Sequence, residues 1–202
     1  MKKMKTAVFV SGGGTNLQAL IDACKSGIIV SAEITCVISN KDDIYALTRA
    51  KEAGIETCVI KDNFEDSVLS FLQEKGVELI VLAGFLSIVG KKLIQAFPNK
   101  IINIHPSLIP AFCGKGHYGL HVHEKVIAYG AKLTGATVHF VSEEVDGGVI
   151  LLQKSVAVLP TDTPKVLQKR VMQEAEWIIL PEAVELVSSG RVEVNGRTAI
   201  IH

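Results

Sequence analysis

Lys5-Thr6-Ala7-Val8-Phe9-Val10-Ser11-Gly12-Gly13-Gly14-Thr15-Asn16-Leu17-Gln18-Ala19-Leu20-Ile21 opens as a short apolar run and breaks on three consecutive glycines. It resumes with Leu17, Leu20, Ile21 and Cys24 at helical spacing, and Gly27 ends that periodicity. The reading is strand, glycine loop, helix, and the pattern repeats along the chain. A strand over 34–39 leads to a helix over about 44–53, stopped by Gly54. A strand over 57–60 precedes a helix over 64–75, closed by Gly76. A strand over 79–82 ends in Ala83-Gly84-Phe85, and residues 86–97 read as mostly helical before Pro98. The apolar run 101–105 is the next strand. Strands alternating with helices of ~10–15 residues predict a Rossmann-like α/β fold, a doubly wound and mostly parallel sheet.

The rhythm then changes. Residues 106–119 form a long loop containing Gly and Pro, of a length that usually carries function or disorder. A helix over 121–129 follows. Residues 132–141 and 149–159 read as extended, and the short loop between them predicts an antiparallel C-terminal edge. Thr161-Asp162-Thr163-Pro164 is a helix start with a capping residue and an early proline. That helix runs to about Ser188, and Pro181 inside it predicts a kink or two segments. Residues 191–201 read as a terminal strand or a hairpin around Asn195-Gly196. No repeat or linker interrupts residues 1–202, which read as a single domain.

The chain has 202 residues, 48% of them apolar, with 21 basic and 21 acidic side chains. That balance suits a globular protein with a well-buried sheet. Without a basic tract, nucleic acid is not an expected partner. Met1-Lys2-Lys3-Met4-Lys5 looks like the front of a signal peptide, but the apolar run 7–10 is too short to complete one. Nothing approaches a membrane-spanning length. Cys24, Cys36, Cys58 and Cys113 have neither metal nor redox spacing and read as reduced thiols of a cytoplasmic protein. Cys24 and Cys36 fit core positions, and Cys113 reads as a bystander in the loop after Pro110. The expected partners are small molecules, with no membrane, and the expected assembly is a monomer or a homodimer.

The glycine loop should offer backbone N–H groups to an anion at the helix N-terminus. It lacks the Gly-Lys-Ser/Thr ending of a Walker loop. It also lacks the third glycine of a dinucleotide fingerprint, where Leu17 stands. The second strand ends in Ser39-Asn40-Lys41, without the acid that would hold a ribose. A small phosphomonoester fits better than NAD; the alternative is a tight turn with no ligand. Further on, Asn103 and His105 share one face of their strand at its carboxyl end, where open α/β sheets bind ligands. Pro106 extends the backbone there, and Pro110 stiffens the loop. A carboxamide and an imidazole in that place can polarise a carbonyl and handle a proton, or simply cap the strand. Asp146, on the turn Val145-Asp146-Gly147-Gly148, is a carboxylate that such a turn can bring beside His105, favouring the imidazolium; the alternative is an ordinary Asp-Gly turn. His117, His121 and His123 have no Cys or acid completing a metal motif, so no metal is expected and they read as solvated or loop-packing side chains. His139 gives its strand a polar face, and Glu143-Glu144 reads as a solvated turn.

Four motifs in this order carry a resemblance: residues 10–19, Leu82-Ala83-Gly84-Phe85, Asn103-Ile104-His105-Pro106-Ser107-Leu108-Ile109-Pro110, and Asp146-Gly147-Gly148. Together, over about residues 5–188, they resemble the phosphoribosylglycinamide formyltransferases, of the formyltetrahydrofolate-dependent transferase and hydrolase superfamily. The resemblance implies transfer of a formyl group from 10-formyltetrahydrofolate to the amine of glycinamide ribonucleotide in de novo purine (IMP) biosynthesis. It implies a catalytic trio of Asn103, His105 and Asp146, and a ribotide phosphate held at Gly14, Thr15 and Asn16. It implies helix contacts to the ribotide from Gln173 and Glu176, and a folate pocket lined by Leu86, Ser87, Ile88, Val89, Asn103 and Val141. The chain departs from the family at Ser87 and Ser67, where relatives often carry arginine. Its loop 111–119 is longer than in some relatives, and Lys115 there is a candidate contact for an anionic folate tail. Two alternatives keep the fold and change the activity: hydrolysis of formyl-folate by water, and ligand binding without turnover.

Overall fold

The computed structural model describes residues 2–202. The first strand, β1 (Met4–Val10), lies inside the sheet with a neighbour on either side. Its side chains alternate: Ala7 and Phe9 enter one buried cluster, Val8 and Val10 the other. A two-residue period with both faces apolar is what a strand covered on both sides requires. β1 pairs in parallel with β2 (Ala32–Ser39) on one side and β4 (Leu79–Leu82) on the other. β3 (Glu56–Val59) continues beyond β2, and β5 (Ile101–His105) lies beside β4, both in parallel. β6 (Leu133–Phe140) is antiparallel to β5, and β7 (Ile150–Ala157) is antiparallel to β6. The seven-stranded order is β3-β2-β1-β4-β5-β6-β7. From β1 the chain winds outward to β3 and then returns to β4 on the other side of β1. That reversal opens a crevice between the carboxyl ends of β1 and β4, where ligands bind in such sheets.

Helix α1 (Thr15–Ser26) starts at Gly14, whose φ of 72° is left-handed. A Cβ there would lie 2.6 Å from the Cβ of Ala46, so both conformation and packing demand glycine. Ala46 belongs to α2 (Tyr45–Glu52), whose Arg49 also donates to the Gly13 carbonyl at 2.9 Å. On the other face, α3 (Phe64–Lys75) packs Val68 and Leu72 into the second cluster, and Phe64 stacks on Phe85 at 5.5 Å.

The helix expected over 86–97 is shorter than its pattern predicts. Only α4 (Lys91–Ala96) is helical, and residues 86–90 run irregularly. Competing contacts hold that segment: the Leu86 N–H donates to Ser11 Oγ and Asn40 Nδ2 to Ser87 Oγ. The helix begins where the Glu65 carboxylate accepts the Leu93 N–H at 3.0 Å, a cap supplied by another helix.

After the long loop come α5 (Leu120–Tyr129), the β6–β7 pair and α6 (Pro164–Val171). The Thr163 hydroxyl accepts the Val166 N–H and Pro164 takes the first turn, as the cap signal predicts. The break in the long helix is not at Pro181. It is a π-helical turn over Met172–Glu176, and Pro181 lies within a regular α7 (Trp177–Ser188). The widened turn carries Glu176 into a buried hydrogen bond with Asn16 of α1. The chain closes with an antiparallel hairpin, β8 (Val192–Asn195) and β9 (Thr198–Ile201). Gly196 and Arg197 form its turn, one residue beyond the Asn195-Gly196 centre predicted.

Candidate active site

A cavity of about 730 Å³ occupies the crevice at the carboxyl ends of β1, β4 and β5. Its volume suits a ligand of small-molecule size. Residues 12–16 line it, with Gly12 and Gly13 exposed and the first turn of α1 uncapped by any side chain. Free N–H groups at a helix N-terminus attract an anion. The same cavity has an apolar wall. Leu86 and Ile88 are 54% and 79% exposed there, joined by Ser87, Val89 and Val141. Exposed apolar side chains gathered at a cavity mouth mark a binding surface.

Asn103, His105 and Asp146 meet in this cavity. His105 is buried at the end of β5, and its Nε2 lies 3.0 Å from the Phe112 carbonyl. A carbonyl only accepts, so Nε2 carries a proton. Nδ1 faces Asp146 Oδ2 at 3.6 Å, an ion-pair geometry whenever the ring bears both protons. Phe112 is held in place by its loop. Ser107 Oγ donates to the Ala111 carbonyl at 2.6 Å, and Thr137 Oγ1 donates to the Ser107 carbonyl at 2.7 Å.

Asp146 adopts a left-handed φ of 56°, a conformation that Asp tolerates better than most residues. Its Oδ2 accepts the Gly114 N–H at 2.8 Å, which ties the acidic turn to the long loop. Two residues on, a Cβ on Gly148 would sit 1.7 Å from the Phe140 carbonyl oxygen. Only glycine lets the turn press this closely on β6.

His139 belongs to the site, although its strand position alone does not reveal this. It stands opposite Asn103 in the β5–β6 register. Its Nδ1 lies 2.9 Å from the Phe140 carbonyl, so Nδ1 donates and Nε2 is left to accept from Asn103 Nδ2 at 3.1 Å. Burial holds His139 below the usual imidazole range, against the pull of the Phe140 carbonyl and Asp146. An uncharged His139 therefore orients the Asn103 amide. The one sequence signal for this was the polar face that His139 gives β6.

Of the expected helix contacts, Glu176 lines the cavity and Gln173 does not; Gln173 is exposed, and Gln168 and Met172 line that wall instead. The extra residue of the π turn changes which positions face inward. Glu176 Oε2 accepts from Asn16 Nδ2 at 2.7 Å, and burial pushes its carboxyl up to about 7. Lys115 lines the cavity. Ser67 instead turns its hydroxyl to the Asp62 carbonyl at 3.4 Å, and Cys113 Sγ rests 3.2 Å from the Pro110 carbonyl. His121 pairs with Glu124 on the surface, as a solvated side chain would, whereas His117 and His123 line the cavity. Among the described residues, no group of His, Cys, Asp or Glu has the arrangement to hold a metal ion, and no helix is long and apolar enough to cross a membrane.

Residues 4–184 match the formyl transferase family. A phosphoribosylglycinamide formyltransferase from Haemophilus influenzae is 44% identical, over 98% of this chain and 93% of that protein. The crystal structure of glycinamide ribonucleotide transformylase 1 from Symbiobacterium toebii superposes with a TM-score of 0.92 at 40% identity, covering 98% of this chain and 94% of that one. A phosphoribosylglycinamide formyltransferase from Anaplasma phagocytophilum gives 0.90 at 36% identity, over 99% and 95%. The chain belongs to the formyl transferase family, in the branch of the phosphoribosylglycinamide formyltransferases.

Proposed function

We propose that the protein transfers the formyl group of 10-formyltetrahydrofolate to the primary amine of glycinamide ribonucleotide, within purine biosynthesis. The observation that carries this reading is one cavity in which an open helix N-terminus and an exposed apolar wall share the trio Asn103, His105 and Asp146. The N–H groups at residues 14–16 suit a phosphate, and the wall of Leu86, Ser87, Ile88, Val89 and Val141 suits a flat pterin. Glu176, rather than the outward Gln173, is the helix residue this reading gives to the ribotide.

The amine nitrogen attacks the formyl carbon, a C–N bond forms and the formyl oxygen becomes an oxyanion. Asn103 retains one amide N–H after donating to His139. The Nε2 of His105 is engaged by Phe112, and Nδ1 stands 3.6 Å from Asp146, beyond a hydrogen bond. Nδ1–H and the free N–H of Asn103 are therefore the donors available to the oxyanion, and Asp146 sustains the charge on His105. Collapse breaks the bond to the folate nitrogen. The proton shed by the amine ends on that nitrogen, relayed by His105 or by a water beside Asp146. No covalent enzyme intermediate is required. Replacing Asn103 by Ala removes one oxyanion donor and should lower kcat about 10²- to 10³-fold with both KM values little changed. A kcat within a few fold of wild type would contradict the assignment.

A further inference from the structure

His123 is the buried polar group that this mechanism leaves unused. It follows Val122 on α5 and precedes Val126 by one turn, so it belongs to the inward face of that helix. It is 0% exposed, and among the described residues neither ring nitrogen has a hydrogen-bond partner. It nevertheless lines the same cavity as His105, Gln168 and Glu176. Burial, reinforced by the nearby His105, lowers it to about 4. At neutral pH the ring is therefore uncharged, with one N–H to give and one lone pair to fill.

A structural histidine satisfies at least one of these groups within the fold, because an unpaired buried donor or acceptor is destabilising. Among the described residues neither group is satisfied, and the cavity that His123 lines is where the polar atoms of a ligand would lie. Under the formyl-transfer reading, on which this inference rests, the ribotide runs from the glycine loop to His105, where its amine reacts. The group next to that amine is a secondary amide, which has one carbonyl acceptor and one N–H donor. We propose that His123 is a substrate-contacting residue that exchanges hydrogen bonds with the amide arm of the bound ribotide and so aims the amine at the formyl carbon.

The test compares wild type with His123→Leu and His123→Asn by thermal melting, by titration with glycinamide ribonucleotide and with folate, and by formyl transfer. His123→Leu removes two unpaired polar groups, so its Tm should equal or exceed that of wild type. Its ribotide affinity should fall about 10- to 100-fold, with folate binding unchanged. His123→Asn keeps a donor and an acceptor and should recover most of that loss. A lowered Tm or failure to fold in His123→Leu would show that the imidazole is partnered in the fold, and would overturn the proposal. Wild-type ribotide affinity in His123→Leu would overturn it too, as would His123→Asn losing as much as His123→Leu. If wild type itself neither binds the ribotide nor transfers the formyl group, the functional reading fails first, and the Tm comparison still reports on His123.

Discussion

Glu176 is a carboxyl group buried with no cation paired to it among the described residues, and its replacement by Gln should make the free protein more stable in a pH-dependent way. The side chain is buried, Asn16 Nδ2 is its single hydrogen-bond partner among the described residues, and burial raises it from the ordinary 4.5 to about 7. Below pH 4.5 the group is protonated in both the folded and the unfolded chain, and it imposes no penalty. Between 4.5 and about 7 the unfolded chain gives up the proton while the folded chain keeps it. The folded state then binds more protons, so stability falls as pH rises. Above about 7 both states are ionised and the loss levels off. The interval from 4.5 to about 7 corresponds to about 3 kcal/mol. Gln keeps an oxygen to accept from Asn16 and cannot ionise. Urea unfolding of both proteins from pH 4.5 to 8 therefore starts near parity and ends with Glu176→Gln ahead by about 3 kcal/mol. Every other titrating group is common to the two proteins and cancels. Parallel stability curves across this range would contradict the burial penalty, because they would mean that Glu176 ionises as freely in the folded protein as in the unfolded one.

Asp146→Asn keeps an acceptor for the Gly114 N–H and tolerates the left-handed backbone, so Tm should hold within a few degrees. It removes the charge facing His105 Nδ1, so kcat should fall about 10²- to 10⁴-fold; turnover unchanged across neutral pH would remove Asp146 from the mechanism. Gly148→Ala sets a methyl group against the Phe140 carbonyl and should cost at least about 2 kcal/mol, a fall in Tm of about 4–8 °C. It should also lower activity by displacing Asp146; a wild-type melt would contradict the close approach. Burial pushes the Cys36 thiol up to about 11 within the sheet. Cys36 should resist a thiol-modifying reagent in native protein and react once denaturant is added, as read by mass spectrometry; stoichiometric labelling of native Cys36 would contradict its burial.

What could be read from sequence was local. The run into Ser11-Gly12-Gly13-Gly14 and the periodic Leu17, Leu20 and Ile21 specify a strand, a loop and a helix through nearest neighbours alone. Thr163-Pro164 announces a helix start for the same reason. Asn103 and His105 are two residues apart on one strand, so their common face follows from the pleat. What escaped depends on which distant segments touch. His139 joins the site only because the β5–β6 register sets it opposite Asn103, and single-strand spacing does not contain a register. Helix α4 begins late because Glu65, 28 residues earlier, caps Leu93. The π turn at Met172–Glu176 has no proline or glycine to mark it, whereas Pro181, which looks like a breaker, sits in regular helix. His123 reads as loop packing until α5 is docked with that face turned to the cavity.

The proposed reaction brings a ribotide amine to a formyl-folate at Asn103, His105 and Asp146 within one cavity. Its most direct measurement mixes the purified protein with 10-formyltetrahydrofolate, with and without glycinamide ribonucleotide, and follows folate absorbance. The expected result is an absorbance change that depends strictly on the ribotide and is matched by formylated product. Loss of the formyl group without the ribotide, with formate released, would contradict it in favour of hydrolysis. No change in either mixture while folate still binds would contradict turnover altogether.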